Sequence, residues 1–152
     1  MWPDRRLFGL FGIELPIVLA PMANFAGVDM AIAVAAAGGL GSLPCAALNP
    51  DQIRAGVAAF RLRAHKPLNL NFFCHVEAPR DLEKDRAWLR RIAPYYSELG
   101  LEAPSVPLRA GHPPFDEANC AAVEALRPEI VSFHFGLPAP TLLACGRPAI
   151  GF

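Results

Sequence analysis

A chain of 152 residues has room for one domain and little more. Apolar residues make up 53% and charged residues 18%, enough for a large core, which excludes a globally disordered chain. The 14 basic and 14 acidic residues cancel, so no net field singles out nucleic acid or a cationic partner.

The N-terminus places Arg5-Arg6 ahead of Leu7-Phe8-Gly9-Leu10-Phe11, which has some likeness to an export signal. Glu14 and Pro16 interrupt the apolar run where a signal core would continue, so a mature N-terminus is expected, with export as the alternative. No apolar stretch reaches the roughly 18 residues of a membrane span. Ile17 to Ala20 reads as a short buried strand stopped by Pro21, and Asn24 to Gly27 as a turn. Val28 to Ala37 is Ala-rich and suits a helix laid on a sheet, with Gly38-Gly39 free to supply a left-handed C-terminal residue. Leu40 to Leu43 is the second strand. Gly38-Gly39-Leu40-Gly41 follows a helix and precedes a strand, the wrong order for a phosphate-binding loop.

Asn49-Pro50-Asp51-Gln52 carries the pattern of a capping box, after which Ile53, Val57 and Phe60 recur on one helical face. Leu68 to Phe73 is the third strand. The rhythm then breaks over about residues 74–114, a long irregular insertion holding a charged helix from Asp81 to Ala93 that Pro94 should end or kink. Asp116 caps a helix through Leu126, with Cys120 and Val123 inward. Ile130 to Phe135 is the fourth strand, and Pro138 to Ala144 begins another helix.

Apolar strands alternating with helices argue for α/β architecture with a parallel sheet, about four βα units in all. An open doubly wound sheet and a (β/α)8 barrel both satisfy that pattern. A complete barrel takes about 250 residues, so this chain, read as a single domain over residues 1–152, holds only half of one.

Two strands carry an unusual pattern. Leu68, Leu70 and Phe72 share one face of the third, and Asn69, Asn71 and Phe73 the other. On the fourth, Val131, Phe133 and Phe135 alternate with Ser132, His134 and Gly136. A helix-covered parallel strand is normally apolar on both sides. Either these polar groups satisfy one another inside the fold, or they face a polar ligand across the strand ends. Pro21-Met22-Ala23 closes the first strand at the edge where α/β folds bind ligands, with an ordinary strand-to-helix turn as the alternative.

His134 is a candidate substrate-facing hydrogen-bonder or base, and His75 lies near the end of the neighbouring strand. His65 and His112 read as surface or loop residues. No carboxylate joins the histidines in a ligand pattern, so no metal is expected. Cys45, Cys74, Cys120 and Cys145 form no C-x-x-C pair, and free thiols in a reducing, cytoplasmic setting are expected.

Three segments in order, IVLAPMANFAGVDMAIAVAAAGGLG (Ile17 to Gly41), PLNLNFF (Pro67 to Phe73) and VSFHFGLP (Val131 to Pro138), resemble the nitronate monooxygenase family, also called 2-nitropropane dioxygenases. The similarity runs from about Phe8 to about Ala144. The resemblance implies the N-terminal half of an FMN-dependent TIM-type barrel that oxidises alkyl nitronates or nitroalkanes with O2 and without a metal. It implies that Pro21, Met22 and Ala23 lie against the flavin, and that Asn71, with Asn69 as second choice, contacts FMN. It also implies that Ser132, Phe133, His134, Phe135 and Gly136 line the substrate side. The family's usual base sits in an EAGGH-type segment after strand five, and its phosphate-holding glycine loops lie on later strands. Neither feature occurs here, which leaves His134 as the candidate catalytic residue.

The run Cys145-Gly146-Arg147-Pro148-Ala149-Ile150-Gly151-Phe152 breaks the last expected helix, as a truncated or frameshifted product would. Such a chain is expected to have little or no activity alone and to self-associate through its open barrel edges. The early motifs of flavin-dependent enoyl reductases are similar, so that activity is the alternative enzyme reading, and a non-catalytic half barrel is the third. The partners expected are a small nitronate and O2, with no nucleic acid and no membrane.

Overall fold

The computed structural model describes residues 4–77, 79, 81–105 and 112–145, so Gly146 to Phe152 lie outside the described residues. The chain divides into two compact units, Met1–His75 with His112–Phe152, and Val76–Gly111.

In the first unit, α1 (Arg6–Phe11) forms within the export-like segment and is closed by Gly12. The expected first strand is reduced to a single parallel bridge, Val18 to Leu40. The Leu19 N–H donates to the Leu40 carbonyl at 2.9 Å, and the Leu40 N–H to that of Ile17 at 2.8 Å. The cause is local: Pro16 and Pro21 bring no N–H, and the N–H groups of Ile17 and Met22 turn back onto Leu15 and Ala20.

Helix α2 (Val28–Ala36) buries Ala31 and Ala35 completely. Gly38 follows with φ +92, the left-handed residue the sequence called for. Strand β1 (Gly41–Pro44) begins where the helix comes closest. A Cβ on Gly41 would lie 2.6 Å from the Ala31 carbonyl oxygen, so only glycine admits this approach. One 3-10 turn, Cys45–Ala47, leads to α3 (Pro50–Arg63). Its capping box is complete: the Gln52 N–H donates to Asn49 Oδ1 and the Asn49 N–H to Gln52 Oε1, both at 2.9 Å. Strand β2 (Leu68–Phe73) has the expected bounds.

The second unit contains α4 (Leu82–Glu98), capped by the Asp81 carboxylate. The helix runs past Pro94 for a further turn instead of stopping there. The missing proline N–H costs one backbone bond, and the helix is exposed enough for water to satisfy the freed carbonyl.

Back in the first unit, α5 (Glu117–Leu126) starts at Asp116, whose carboxylate accepts from the Asn119 N–H at 2.8 Å. Strand β3 (Ile130–His134) is one residue shorter than expected, because Phe135 turns to φ +69 and leaves the sheet. The last described helix is α6 (Pro140–Cys145), which starts two residues later than expected.

The three strands are parallel in the order β1-β2-β3. Their register pairs Ser42 with Asn69, Asn71 with Ser132, and Phe73 with His134. One face carries Leu43, Leu70 and Phe72 into a core with Ala31, Ile53, Val57 and Phe60. Phe115 packs edge-on against Phe72, ring centroids 4.9 Å apart, and against Phe133 at 5.3 Å.

Candidate functional site

Parallel strands end together, so the carboxyl ends of β1, β2 and β3 share one edge. The face opposite the core carries Ser42, Asn69, Asn71, Ser132 and His134, as strand alternation requires. None of these side chains projects among the core helices.

They form two layers. In the first, Asn69 Nδ2 donates to Ser42 Oγ at 3.1 Å. Ser42 is 0% and Asn69 3% exposed, and Asn69 Oδ1 is buried without a partner. An orphaned acceptor of that kind costs on the order of 1–3 kcal/mol, which a bound donor would recover. The second layer is one step closer to the strand ends. Asn71 Nδ2 lies 2.9 Å from Ser132 Oγ, 3.2 Å from the Ser132 carbonyl oxygen and 3.0 Å from His134 Nδ1. Asn71 is fully buried, Ser132 half-buried and His134 exposed, so the network runs from interior to surface.

Aromatic rings frame its outer end. Phe73 meets His134 edge-on at 6.2 Å and Phe135 at 5.0 Å, and His75 lies 6.4 Å from Phe135. Phe135, 70% exposed, holds a left-handed conformation that costs a non-glycine residue about 1 kcal/mol or more. Gly136 follows at φ +131. His65 and His112 are exposed. Among the described residues no group of three His, Cys, Asp or Glu is placed to hold a metal ion.

Pro21-Met22-Ala23 sits on a separate turn, tied to the sheet through the Val18–Leu40 bridge. The Met22 carbonyl accepts from the N–H groups of Phe25 and Ala26, while the Met22 side chain is 54% exposed. Beside this turn opens a cleft of about 370 Å³, lined by Ala23, Phe25, Val28, Leu43, Pro44 and Leu48 among others. Two participants escaped the sequence reading. Ser42 is the one polar side chain in its short strand, and that isolation was the available signal. Cys45 is buried just beyond β1; burial pushes its thiol up to about 12, partly offset by a hydrogen bond from the Asn71 backbone.

The profile of the nitronate monooxygenase family matches residues 4–147. The chain belongs to the nitronate monooxygenase family. A nitronate monooxygenase from Paraburkholderia phytofirmans is 40% identical over 142 residues, which cover 92% of this chain and 38% of that protein. Among solved structures, a nitroalkane oxidase from Streptomyces ansochromogenes superposes with a TM-score of 0.74 at 28% identity, covering 94% of this chain and 40% of that one. FabK from Thermotoga maritima shares the fold alone, with a TM-score of 0.59 at 22% identity. The chain thus spans about two fifths of the length of these relatives. Its α/β structure with a parallel sheet is a portion of the TIM-type barrel that family members adopt. No helix among the described residues is long and apolar enough to cross a membrane.

Proposed function

We propose that the protein carrying this sequence oxidises alkyl nitronates or nitroalkanes with O2, using FMN held at the carboxyl ends of the strands. The observation that carries the reading is the Asn71–Ser132–His134 network on the inner face of the sheet, in a chain that belongs to this family.

The residues present fit a flavin ring. The Ala23 N–H makes no hydrogen bond among the described residues and is free to donate, and the exposed Met22 side chain offers an apolar surface. Pro21 leaves no donor of its own to satisfy. Asn71 supports the floor from beneath, and Asn69, deeper still, holds an acceptor in want of a donor. When bound, FMN would supply the redox chemistry between substrate and O2. The chain's own part is to orient and to exclude water. Ser132, His134 and Gly136 bound the substrate side, and Phe135 stands out of the strand end as an apolar wall.

Residues 1–152 are read as one incomplete flavin-barrel domain carrying the insertion at about 74–114. Among the described residues β3 is an outer strand of the sheet, which makes self-association a further expectation. The free thiols of Cys45 and Cys74 suit a cytoplasmic setting.

The test combines an absorbance titration with FMN and oxygen uptake on adding an alkyl nitronate. A perturbed flavin spectrum with nitronate-dependent uptake is expected of the whole protein that carries this sequence, and little or no uptake of residues 1–152 alone. An unperturbed spectrum removes the cofactor assignment, and NAD(P)H consumption with an enoyl thioester in place of uptake hands the site to the enoyl reductase reading.

A further inference from the structure

We infer that Asn71 fixes the neutral His134 ring as the tautomer protonated at Nε2, which makes His134 a hydrogen-bond donor to an anionic substrate oxygen and not the base. The inference rests on the proposed nitronate chemistry for the identity of that oxygen, but not for the tautomer.

The amide orientation is assigned from its neighbours. The Ser132 carbonyl, 3.2 Å from Asn71 Nδ2, can only accept, so the amide nitrogen and not the amide oxygen must face it. That nitrogen has two hydrogens and three neighbours able to accept: the Ser132 carbonyl, Ser132 Oγ at 2.9 Å and His134 Nδ1 at 3.0 Å. An N–H at Nδ1 would point at another N–H. A neutral imidazole carries one proton, so with Nδ1 accepting, the proton sits on Nε2. Turning the ring over would set a C–H against the Asn71 amide nitrogen and give up the 3.0 Å contact with Nδ1. The edge-on contact with Phe73 further restrains the ring.

The chemical consequence is direct. With its Nδ1 lone pair engaged and Nε2 already protonated, the ring has no site left to accept a substrate α-proton. What it offers is an exposed N–H, with which no described residue forms a hydrogen bond. Ser132 Oγ, accepting from Asn71, keeps its own hydrogen for a further acceptor. A nitronate bears negative charge on its two oxygens, whereas a neutral nitroalkane is a poor acceptor. Donors of this kind favour the substrate that arrives already deprotonated. Asn71 is then a positioning residue acting through His134.

The experiment is a long-range 1H–15N spectrum of the protein labelled with 15N-histidine, with the His134 signals assigned by their loss in His134→Gln. The expected pattern puts Nδ1 in the unprotonated range and Nε2 in the protonated range. The reverse pattern, or an averaged pair, overturns the inference on the unmodified protein alone. In Asn71→Asp, a carboxylate that only accepts should move the proton to Nδ1, and persistence of the original pattern would show that Asn71 is not the cause. Adding an alkyl nitronate should shift the Nε2–H signal, while the parent nitroalkane should not. No shift with nitronate sinks the donor role. None of these readouts requires flavin, so the FMN titration can fail while the tautomer stands.

Discussion

On one face of the sheet Leu43, Leu70 and Phe72 join the apolar core with residues of α2 and α3. On the other, one residue along the same strands, Ser42, Asn69 and Asn71 are just as buried, and each has a particular partner or lacks one. An apolar face is held by area and tolerates repacking. A polar face is held by direction: Asn71 serves three acceptors with two hydrogens, while Asn69 Oδ1 receives none. Burial is common to both, so burial alone does not separate scaffold from site. The separating feature is direction, since each polar group on that side is tied to a particular neighbour; a buried acceptor without a partner occurs also at Asn119 on α5 and does not by itself mark a site.

The largest way to test that contrast is on the apolar face. Phe72 touches both Phe115 and Phe133 and is 1% exposed. Phe72→Ala should lower unfolding stability by about 3–5 kcal/mol in urea denaturation, the usual cost of emptying an aromatic site. A loss below about 1 kcal/mol would mean that this face is far looser than its burial implies.

A smaller and sharper test addresses the polar face. Ser42→Ala leaves the Asn69 amide without its partner and should cost about 1–3 kcal/mol. The double variant Ser42→Ala/Asn69→Leu removes both polar groups and the orphaned acceptor together, and should be more stable than Ser42→Ala alone. If the double variant is instead the worse of the two, then Asn69 Oδ1 has a structural partner such as an ordered water, and the layer belongs to the scaffold.

Much of this was legible in the residues. The capping box at Asn49, the cap at Asp116, the bounds of β2 and the two-faced pattern of β2 and β3 are local signals, read from spacing and side-chain type. The errors arose where backbone donors had a choice. Ile17 to Ala20 is as apolar as any strand, but its N–H groups at Ile17 and beyond Pro21 bond locally, and only one bridge survives. Phe135 continues the alternation of β3 in sequence yet leaves the strand at a positive φ, a conformation no side-chain pattern announces. In the site, alternation put Asn71 beside Ser132 and His134, but nothing in the sequence could say that one amide reaches all three acceptors. That depends on register between strands about sixty residues apart, and register is a tertiary fact.

Cys45 lies where the two faces meet: it belongs to the apolar core, yet its sulfur accepts a hydrogen bond from the Asn71 backbone. Burial dominates, raising the thiol from its ordinary 9.0 to about 12. The sign follows from linkage. The folded state keeps the thiol neutral where the unfolded chain would ionise it, so the associated stability is intact below about pH 9 and declines from there up to about pH 12. Cys45→Ala should flatten the alkaline limb of a stability–pH curve over that window while leaving the shape of the curve at neutral pH unchanged. At neutral pH the same thiol should resist alkylation until the protein unfolds, because the thiolate is the reactive form. Rapid modification of Cys45 in the folded state at neutral pH would show that the junction between the faces opens readily. The buried polar layer would then be open to solvent as well, and the distinction between a repacking face and a directed one would have to be redrawn.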